Sequence, residues 1–319
     1  MSQPLDLITV GRVSVDLYAE QLNASFAQPQ TFKKSIGGSP TNVAVAAAKL
    51  GHKSAVITKV GGDPLGGYVV EKLKELGVDT SLVGTDQTGM TPVVLAALDP
   101  PEDPQIIFYR GPNAPDTTLI STDLDAQQLA STKILWMSAC ALSTGSTATS
   151  AFAWLTARNR KAEVILDLDY RPSFWKDQAT AGEAARKAIA LSTVVVGNKI
   201  ECETAIGISN PQAAADELLN LGVRLAIVKM GGEGVLLATK DSRVIVPPLK
   251  IDVVCGLGAG DAFGGALVHG LLTGMSLREI GAFANGAGAY VAAKLMCADA
   301  MPDLTQLNSF LETTKDKKI

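Results

Sequence analysis

The chain has 319 residues, of which 47% are hydrophobic and 19% charged, so it can bury a substantial core and is not an intrinsically disordered protein. Its formal net charge of −4 argues against a polyanionic partner such as nucleic acid. A local basic pocket for one phosphate or carboxylate is still compatible with that charge. Length alone fits either one large α/β domain or two small domains.

The four cysteines lie far apart without a C-x-x-C pair, and there are only two histidines, so neither a disulfide framework nor a zinc cluster is expected. The N-terminal residues lack the basic region and the long apolar stretch of a signal peptide. The most apolar stretch near the C-terminus is rich in glycine and contains Asp261 and His269, so no membrane span is expected. The cytosol is the expected compartment.

Short apolar runs alternate with helical patterns along most of the chain. The runs predicted to form strands are residues 5–10, 54–60, 133–137, 163–168, 193–196 and 225–229. Near-continuous apolar runs of this kind are typical of parallel strands that are covered on both faces. The repetition of strand and helix predicts an α/β fold.

Several helix starts carry clear signals. Ser39 is predicted to cap a helix, with Pro40 at its first position. Asp63 and Pro64 repeat this scheme for the next helix, and Ser276 is predicted to cap a late one.

Two regions, about 12–36 and 90–112, interrupt the alternation. The second contains two strand-like runs, 92–98 and 105–110, joined by a turn rich in proline and acidic residues. Both regions are predicted to pair into a small sheet outside the main one, which would suit a lid over a site. The alternative is an ordinary hairpin at the edge of the main sheet.

The strongest local signal is the sequence Gly-Leu-Gly-Ala-Gly-Asp at residues 256–261, followed by a helical pattern. A glycine-rich turn that leads into a helix gathers free N–H groups and a partial positive charge, which together bind anions. Asp261 in the first turn would lie beside that anion, where its carboxylate can accept a proton from an attacking hydroxyl. The alternative is a structural capping residue with packing glycines. Neither the dinucleotide fingerprint nor the Walker A sequence is present.

Two further motifs could approach a ligand. Gly37 and Gly38 precede a helix whose first turn contains Asn42, an amide that can bind hydroxyl groups. Asn198 and Glu201 follow a predicted strand, and residues beyond the carboxyl ends of parallel strands line the ligand crevice. The carboxylate of Glu201 could hold Mg²⁺ directly or through water. Taken singly, each motif is also explained by a tight turn or a solvated helix start.

In this order and spacing, the three motifs resemble the ribokinase, or PfkB, family of carbohydrate kinases, and the resemblance runs from about residue 5 to about residue 305. It implies a three-layer α/β/α fold with a mainly parallel central sheet and a small β lid. It also implies a single kinase domain over residues 1–319, the use of ATP and Mg²⁺, and a homodimer formed through the lid.

The resemblance assigns roles to individual residues. Asp261 is the implied catalytic base, and the backbone N–H groups of Gly258, Ala259 and Gly260 form the implied anion hole. The residues implied to organise Mg²⁺ and the phosphates or to line the nucleotide pocket are Asn198, Glu201, Gly231, Gly234 and Asn285, with Glu201 as the metal-binding residue. The residues implied to contact sugar hydroxyls are Asp16, Gly37, Gly38 and Asn42.

The chain departs from the family pattern just before the anion hole. Many relatives have Asp-Thr-Thr there, whereas this chain has Cys255, Gly256 and Leu257. The departure leaves the dependence on a monovalent cation open. It does not affect the implied base or anion hole.

Two arginines bear on the substrate. Arg110 ends the second strand-like run of the predicted lid, and Arg171 follows the strand predicted at 163–168. A guanidinium group forms bidentate, charge-assisted hydrogen bonds with a carboxylate, so both arginines favour a sugar acid as the substrate. The alternative is that Arg171 only pairs with Asp167 or Asp169 and that Arg110 is a solvated edge residue.

The predicted function is therefore ATP-dependent phosphorylation of a sugar-acid hydroxyl, because residues 168–175 also resemble family members that act on keto-sugar acids. The nearest alternative is a kinase for another keto-sugar acid, 2-dehydro-3-deoxygluconate, and a kinase for a neutral sugar such as fructose or ribose comes after it. Alternatives from other classes are a non-catalytic sugar- or nucleotide-binding regulator and a nicotinamide-dependent oxidoreductase. The missing dinucleotide fingerprint disfavours the oxidoreductase.

Overall fold

The computed structural model describes residues 4–111 and 113–314. Strands alternate with helices along most of this length, as the apolar pattern predicts. The strands are β1 (Leu7–Val10), β2 (Ser14–Leu22), β3 (Phe32–Gly37), β4 (Ser54–Gly61), β5 (Val83–Asp86), β6 (Val93–Leu98), β7 (Gln105–Tyr109), β8 (Ile134–Ser138), β9 (Glu163–Asp167), β10 (Val194–Asn198), β11 (Leu225–Lys229), β12 (Val235–Ala238) and β13 (Arg243–Val246). The helices are α1 (Ser39–Lys49), α2 (Pro64–Glu75), α3 (Ala126–Ser131), α4 (Gly145–Arg158), α5 (Gln178–Ile189), α6 (Lys199–Ile206), α7 (Pro211–Asn220), α8 (Ala259–Thr273), α9 (Leu277–Ala292) and α10 (Leu304–Thr314).

Nine strands form the central sheet in the order β13-β12-β11-β10-β9-β8-β1-β4-β5. Neighbouring strands are parallel except β12, which runs antiparallel to both β11 and β13. All six strands predicted from the sequence are present, each within two residues of its predicted ends. Parallel order places the carboxyl ends of β1, β8, β9, β10 and β11 at one edge, where ligands bind in sheets of this kind.

Helices cover both faces of the central sheet. Alternate side chains such as Trp136 and Ile165 enter a core with α1, α2, α8, α9 and α10. Their neighbours Leu135 and Leu166 enter a second core with α3 to α7. The three-layer α/β/α architecture is thereby confirmed. None of the helices within the described ranges is long and apolar enough to cross a membrane.

The two irregular regions form a separate four-stranded sheet, here called the second sheet, in the order β3-β2-β6-β7. Strands β2 and β6 are parallel, although β2 is antiparallel to β3 and β6 to β7. Successive residues of a strand point to opposite faces, so Asp16 and Tyr18 share one face of β2. Val15 and Leu17 share the other face.

Helix starts follow the predicted capping at two sites. The Asp63 carboxylate accepts hydrogen bonds from the backbone N–H groups of Leu65 and Gly66, both at 2.9 Å, at the start of α2. Ser276 forms a reciprocal capping box with Glu279 at the start of α9. These caps satisfy N–H groups that have no partner within the helix.

The predicted cap at Ser39 is wrong by one residue. Helix α1 begins at Ser39, and its cap position is Gly38, with a φ of 104°. A Cβ atom at Gly38 would lie 2.4 Å from the backbone oxygen of Arg12, so only glycine allows this turn. The hydroxyl of Ser39 points instead to Asp167, with Oγ 3.4 Å from Oδ2.

Helices α1 and α8 approach each other closely because α8 presents glycines to α1. A Cβ atom at Gly265 would lie 2.3 Å from the Cβ of Ala46. A Cβ atom at Gly264 would lie 3.0 Å from Val43 and 2.7 Å from the ring of Trp136. Larger residues at either glycine would force the two helices apart.

The two histidines of the sequence form a hydrogen bond where α1 and α8 end. His52 Nε2 lies 2.9 Å from His269 Nδ1, and the ring of His269 stacks on Phe283 with centroids 5.1 Å apart. Asp6 is the nearest carboxylate, 4.0 Å from His52 Nδ1, and Lys133 adds an opposing positive charge. Burial lowers the pKa of both histidines below the usual value for this side chain.

We expect this pair to make the protein less stable as the pH falls. Folding lowers the pKa of both histidines, so the unfolded chain takes up protons first as the pH falls below about 6.5. Proton uptake by the unfolded chain stabilises it, and the protein therefore loses stability as the pH falls toward the pKa values of the folded state. Between pH 7.5 and 5.5, the stability of the wild type should therefore fall relative to that of a His52→Gln/His269→Gln variant. Urea denaturation of both proteins at each pH measures this difference.

The comparison must be made against the variant because buried acids oppose the trend. Desolvation raises the pKa of Asp16, Asp167 and Asp261, so these groups favour the folded state at lower pH. Both proteins share that contribution, and it cancels in the difference. A stability difference that does not change with pH would contradict the proposed titration of the histidine pair.

Candidate functional site

The glycine-rich turn predicted to bind an anion lies at the N-terminus of α8. Gly258 has a left-handed φ of 81° and precedes the first helical residue, Ala259. A Cβ atom at Gly258 would lie 2.6 Å from Cys297 Sγ, so glycine is required for both conformation and space. The first N–H groups of a helix have no partner within it, and the helix dipole adds positive charge. The turn can therefore hold an anion at Gly258, Ala259 and Gly260.

Asp261 lies in the first turn of α8 and faces α1. Asn42 donates a hydrogen bond from Nδ2 to Asp261 Oδ2 at 2.7 Å, which fixes the carboxylate between the two helices. Desolvation raises the pKa of Asp261, and the hydrogen bond from Asn42 opposes that rise. The result is an oriented carboxylate next to the anion site, the arrangement required of a general base.

A cavity beneath the second sheet contains several of the predicted substrate-binding residues. Its lining residues include Arg12, Asp16, Gly38, Asn42, Arg171 and Asp261. Asp16 accepts hydrogen bonds from Ser14 Oγ at 2.6 Å and from the Tyr18 hydroxyl at 3.0 Å, which hold its carboxylate in place. A Cβ atom at Gly37 would lie 1.9 Å from Asp16 Oδ2, so Gly37 leaves room for that carboxylate.

A groove of about 390 Å³ lies on the other side of the glycine turn. The predicted nucleotide-binding residues Gly231, Gly234 and Asn285 line it together with Ala259 and Gly260. Asn285 donates hydrogen bonds from Nδ2 to the backbone oxygens of Val246 and Pro247, at 3.2 and 3.0 Å. The groove and the cavity thus meet at the anion site, as transfer of a group between two ligands requires.

Asn198 and Glu201 form a reciprocal capping box at the start of α6. The backbone N–H of Asn198 donates to Glu201 Oε2 at 2.6 Å, and the side chain of Asn198 accepts from the N–H of Glu201 at 2.9 Å. Glu201 is buried, and the Nζ of Lys229 lies 4.0 Å from its Oε2. Asn198 therefore has a structural role whatever else it does.

The residues near Glu201 suit Mg²⁺ better than a metal ion that needs several protein ligands. Within residues 4–111 and 113–314, no three His, Cys, Asp or Glu side chains cluster so as to hold an ion. Mg²⁺ keeps several waters and binds phosphate oxygens with one or two carboxylates. A single buried carboxylate near a phosphate site meets that requirement.

Two charged residues at strand ends were not predicted as site residues. Burial raises the pKa of Asp167, at the end of β9, to about 8. Lys229 ends β11, and a Cβ atom at Gly260 would lie 3.5 Å from its Nζ, which places the ammonium group beside the anion site. Burial lowers the pKa of Lys229, but Glu201 and Asp167 outweigh that effect and raise it. Their positions at the carboxyl ends of predicted strands, Asp167 as the last residue but one of 163–168 and Lys229 as the last residue of 225–229, were the available signal.

The two predicted substrate arginines have different surroundings. Arg171 lines the cavity and also pairs with Asp169, with Nε 3.2 Å from Oδ1. Arg110 forms an ion pair with Asp116 at 2.5 Å, where their side chains are only 10% and 4% exposed. The alternative that Arg110 is a solvated edge residue is therefore wrong. Arg12 is a third arginine, and its position just beyond β1 could have identified it.

Comparisons with known proteins agree with this geometry. The sequence matches the pfkB family carbohydrate kinases over residues 5–304. It is 30% identical over 323 residues to the 5-dehydro-2-deoxygluconokinase of Bacillus anthracis strain A0248, an alignment that covers 99% of this chain and 97% of that protein.

Solved structures of sugar kinases share the fold. A fructokinase from Xylella fastidiosa with bound ATP superposes with a TM-score of 0.85 at 23% identity, covering 97% of this chain and 99% of that one. A fructokinase double mutant from Vibrio cholerae O395 with bound fructose, ADP and potassium superposes with a TM-score of 0.84 at 26% identity, covering 98% and 100%.

Proposed function

Because the chain belongs to the pfkB family of carbohydrate kinases, we propose that it phosphorylates 5-dehydro-2-deoxy-D-gluconate to its 6-phosphate in myo-inositol catabolism. Activity as a sugar kinase that uses ATP with Mg²⁺ follows from the family. The specific substrate is supported by the relatives named 5-dehydro-2-deoxygluconokinase. The observation that carries the proposal is a cavity in which the carboxylate of Asp261 and the guanidinium group of Arg171 face the same space.

Each residue of the site has a task in this reaction. Asp261 accepts the proton of the sugar hydroxyl while the hydroxyl oxygen attacks the γ-phosphorus of ATP, the bond from that phosphorus to the β–γ bridging oxygen breaks, and ADP leaves. The hydrogen bond from Asn42 keeps the carboxylate oriented. The N–H groups at the start of α8 stabilise the negative charge of the phosphoryl group in transfer. Asp16, held by Ser14 and Tyr18, accepts hydrogen bonds from sugar hydroxyls.

The nucleotide lies in the groove beside the glycine turn. Gly231, Gly234 and Asn285 shape that groove, and Lys229 adds a positive charge near the phosphates. Glu201 would hold Mg²⁺, and the bound ion supplies neutralisation of phosphate charge. The chain's own residues thus provide binding, orientation and proton acceptance.

The second sheet acts in this proposal as a lid on a single kinase domain. Val94, Ile106 and Phe108 line the cavity from β6 and β7, so the sheet covers the sugar. The four cysteines are free and buried, which supports a reducing cytoplasmic compartment, and cell fractionation would test it.

The opposite face of the second sheet is proposed to form a homodimer. Strand register places Phe32, Ile107 and Tyr109 on that face, where they are 37%, 39% and 61% exposed. Large apolar side chains grouped on an exposed sheet face are typical of an interface.

The substrate is tested by ADP release from MgATP with 5-dehydro-2-deoxygluconate, 2-dehydro-3-deoxygluconate, fructose and ribose, and with no sugar as the control. We expect the highest kcat/KM with the first compound, because the cavity contains arginines as well as hydroxyl-binding groups. Preference for 2-dehydro-3-deoxygluconate would retain a keto-sugar acid as the substrate class. Preference for a neutral sugar would reject a sugar acid as the substrate. If no sugar stimulates ADP release, a non-catalytic binding protein would be favoured.

The role of Asp261 is tested by Asp261→Asn, which preserves the shape of the side chain but removes the base. We expect kcat to fall about 10³-fold, within the usual range for loss of a general base, while ATP binding persists. Asp241→Asn, an exposed acid in the turn between β12 and β13, is the matched control. Turnover of Asp261→Asn close to that of the control would refute the assignment.

The interface is tested by Ile107→Glu, with Ile245→Glu as the control because Ile245 is 51% exposed on β13 in the central sheet. A buried charge without a partner opposes association, so Ile107→Glu should convert a dimer to monomers. Sedimentation velocity gives the oligomeric state of all three proteins. A monomeric wild type, or a dimer that survives Ile107→Glu, would reject this interface.

A further inference from the structure

Arg12 is a buried arginine in the sugar cavity. It follows β1 directly, is only 9% exposed, and lines the same space as Asp16 and Asp261. Its guanidinium carbon lies 5.5 Å from the ring centroids of both Phe108, on β7, and Phe174, which follows β9. The two aromatic contacts stabilise the cation and hold it in place without using its N–H donors.

No acidic partner neutralises Arg12 at close range. Among residues 4–111 and 113–314, no carboxylate oxygen lies within 4.0 Å of its guanidinium nitrogens. Within the same residues its Nε has no hydrogen-bond partner, which is also true of Arg110 and Arg171, so the missing ion pair is what distinguishes Arg12. Asp16, Asp169 and Asp261 are near enough to interact with its charge, but none forms an ion pair with it. Burying a charge without a hydrogen-bonded partner costs free energy, so an anion that binds to the N–H groups of Arg12 would remove that cost.

The other two arginines near the cavity are already paired. Arg171 contacts Asp169, whose carboxylate also accepts a hydrogen bond from Ser138 at 2.9 Å. Arg110 pairs with Asp116, and its guanidinium carbon lies 4.8 Å from the centroid of Phe174. Arg110 would have to break a buried ion pair before it could bind a ligand carboxylate.

We propose that Arg12 is the residue that recognises the carboxylate of the sugar acid, a proposal that rests on the proposed function. Arg171 contributes secondarily because Asp169 already compensates its charge. Arg110 is a positioning residue, since it supports Phe174 and thereby one of the rings that hold Arg12. The charge of the substrate thus supplies the anion that Arg12 lacks.

The position of Phe108 links this recognition to the second sheet. Phe108 lies on β7 of the second sheet, whereas Phe174 belongs to the segment that follows β9 in the central sheet. The rings meet edge to face with centroids 5.0 Å apart, and Arg12 contacts both. Arg12 and these two rings therefore connect the second sheet to the central sheet at the cavity.

The test compares Arg12→Gln with Arg110→Gln, a matched control from the same group of stacked side chains. Each protein is assayed with the keto-sugar acid and with its neutral analogue, in which a hydroxymethyl group replaces the carboxylate. Loss of a charge-assisted bidentate contact should raise KM for the acid about 10- to 100-fold more than KM for the analogue in Arg12→Gln. The carboxylate takes no part in the chemistry, so kcat for the acid should change much less than KM.

Arg110→Gln should raise the ratio of KM for the acid to KM for the analogue much less than Arg12→Gln does, because it acts on Arg12 only through Phe174. A ratio of the two KM values that is unchanged in Arg12→Gln would overturn the proposal. A ratio that shifts as much in Arg110→Gln as in Arg12→Gln would overturn it as well.

A second variant covers the case in which Arg12→Gln does not fold. Arg12→Lys retains the charge but cannot form a bidentate contact, so its preference for the acid should fall about tenfold. A preference equal to that of the wild type would overturn the proposal. If the wild type phosphorylates no sugar acid, the proposed function is wrong. If the wild type phosphorylates the acid but the Arg12 variants keep its preference for the acid, only the role of Arg12 is wrong.

Discussion

The close packing of α1 against α8 is the constraint on which the site depends. Asn42 and Asp261 belong to different helices, yet their side chains meet at 2.7 Å. The contact exists because Gly265 lets the backbones approach where a Cβ atom would be 2.3 Å from Ala46. The histidine pair joins the same two helices at their other ends. The orientation of Asp261, the proposed base, is therefore set by packing along the whole interface between α1 and α8.

Charge balance is the second organising feature, and it follows from topology. Parallel strands place their carboxyl ends at one edge, so Asp167, Lys229 and the residues after β1 converge there. Desolvation and mutual repulsion raise the pKa of Asp167 to about 8, and carboxylates raise the pKa of Lys229 in turn. A site this dense in acids can bind an anionic substrate only where a cation has no acid of its own. Among the cavity arginines, Arg12 meets that condition.

Sequence patterns predicted the elements well because they are local. Apolar runs located six central strands and the strands β6 and β7 of the second sheet, and the cap at Asp63 depends on a few consecutive residues. The start of α1 was misplaced because Gly38 turns against the distant backbone of Arg12, a contact that no spacing reveals.

The environment of the arginines was likewise invisible in the sequence. Asp116 lies only 6 residues after Arg110, but Phe174, the other neighbour, comes from a distant segment that only the folded chain brings to it. Arg12 adjoins the first strand, but its lack of an acidic partner is a property of the whole cavity. The sequence could suggest that an arginine binds the substrate, whereas only the neighbours of each arginine in the folded chain decide which one is free to bind an anion.

The hairpin of β6 and β7 contacts both ligand sites. Ile106 and Phe108 line the proposed sugar cavity, whereas Glu102, in the turn of the same hairpin, lines the proposed nucleotide groove. The backbone N–H of Gly256, just before the anion site, donates to the oxygen of Pro101 in that turn at 2.8 Å. A ligand that orders the hairpin from one site changes the free-energy cost of binding at the other site. Linkage then requires that the sugar alter the affinity for nucleotide by the same factor as the nucleotide alters the affinity for sugar.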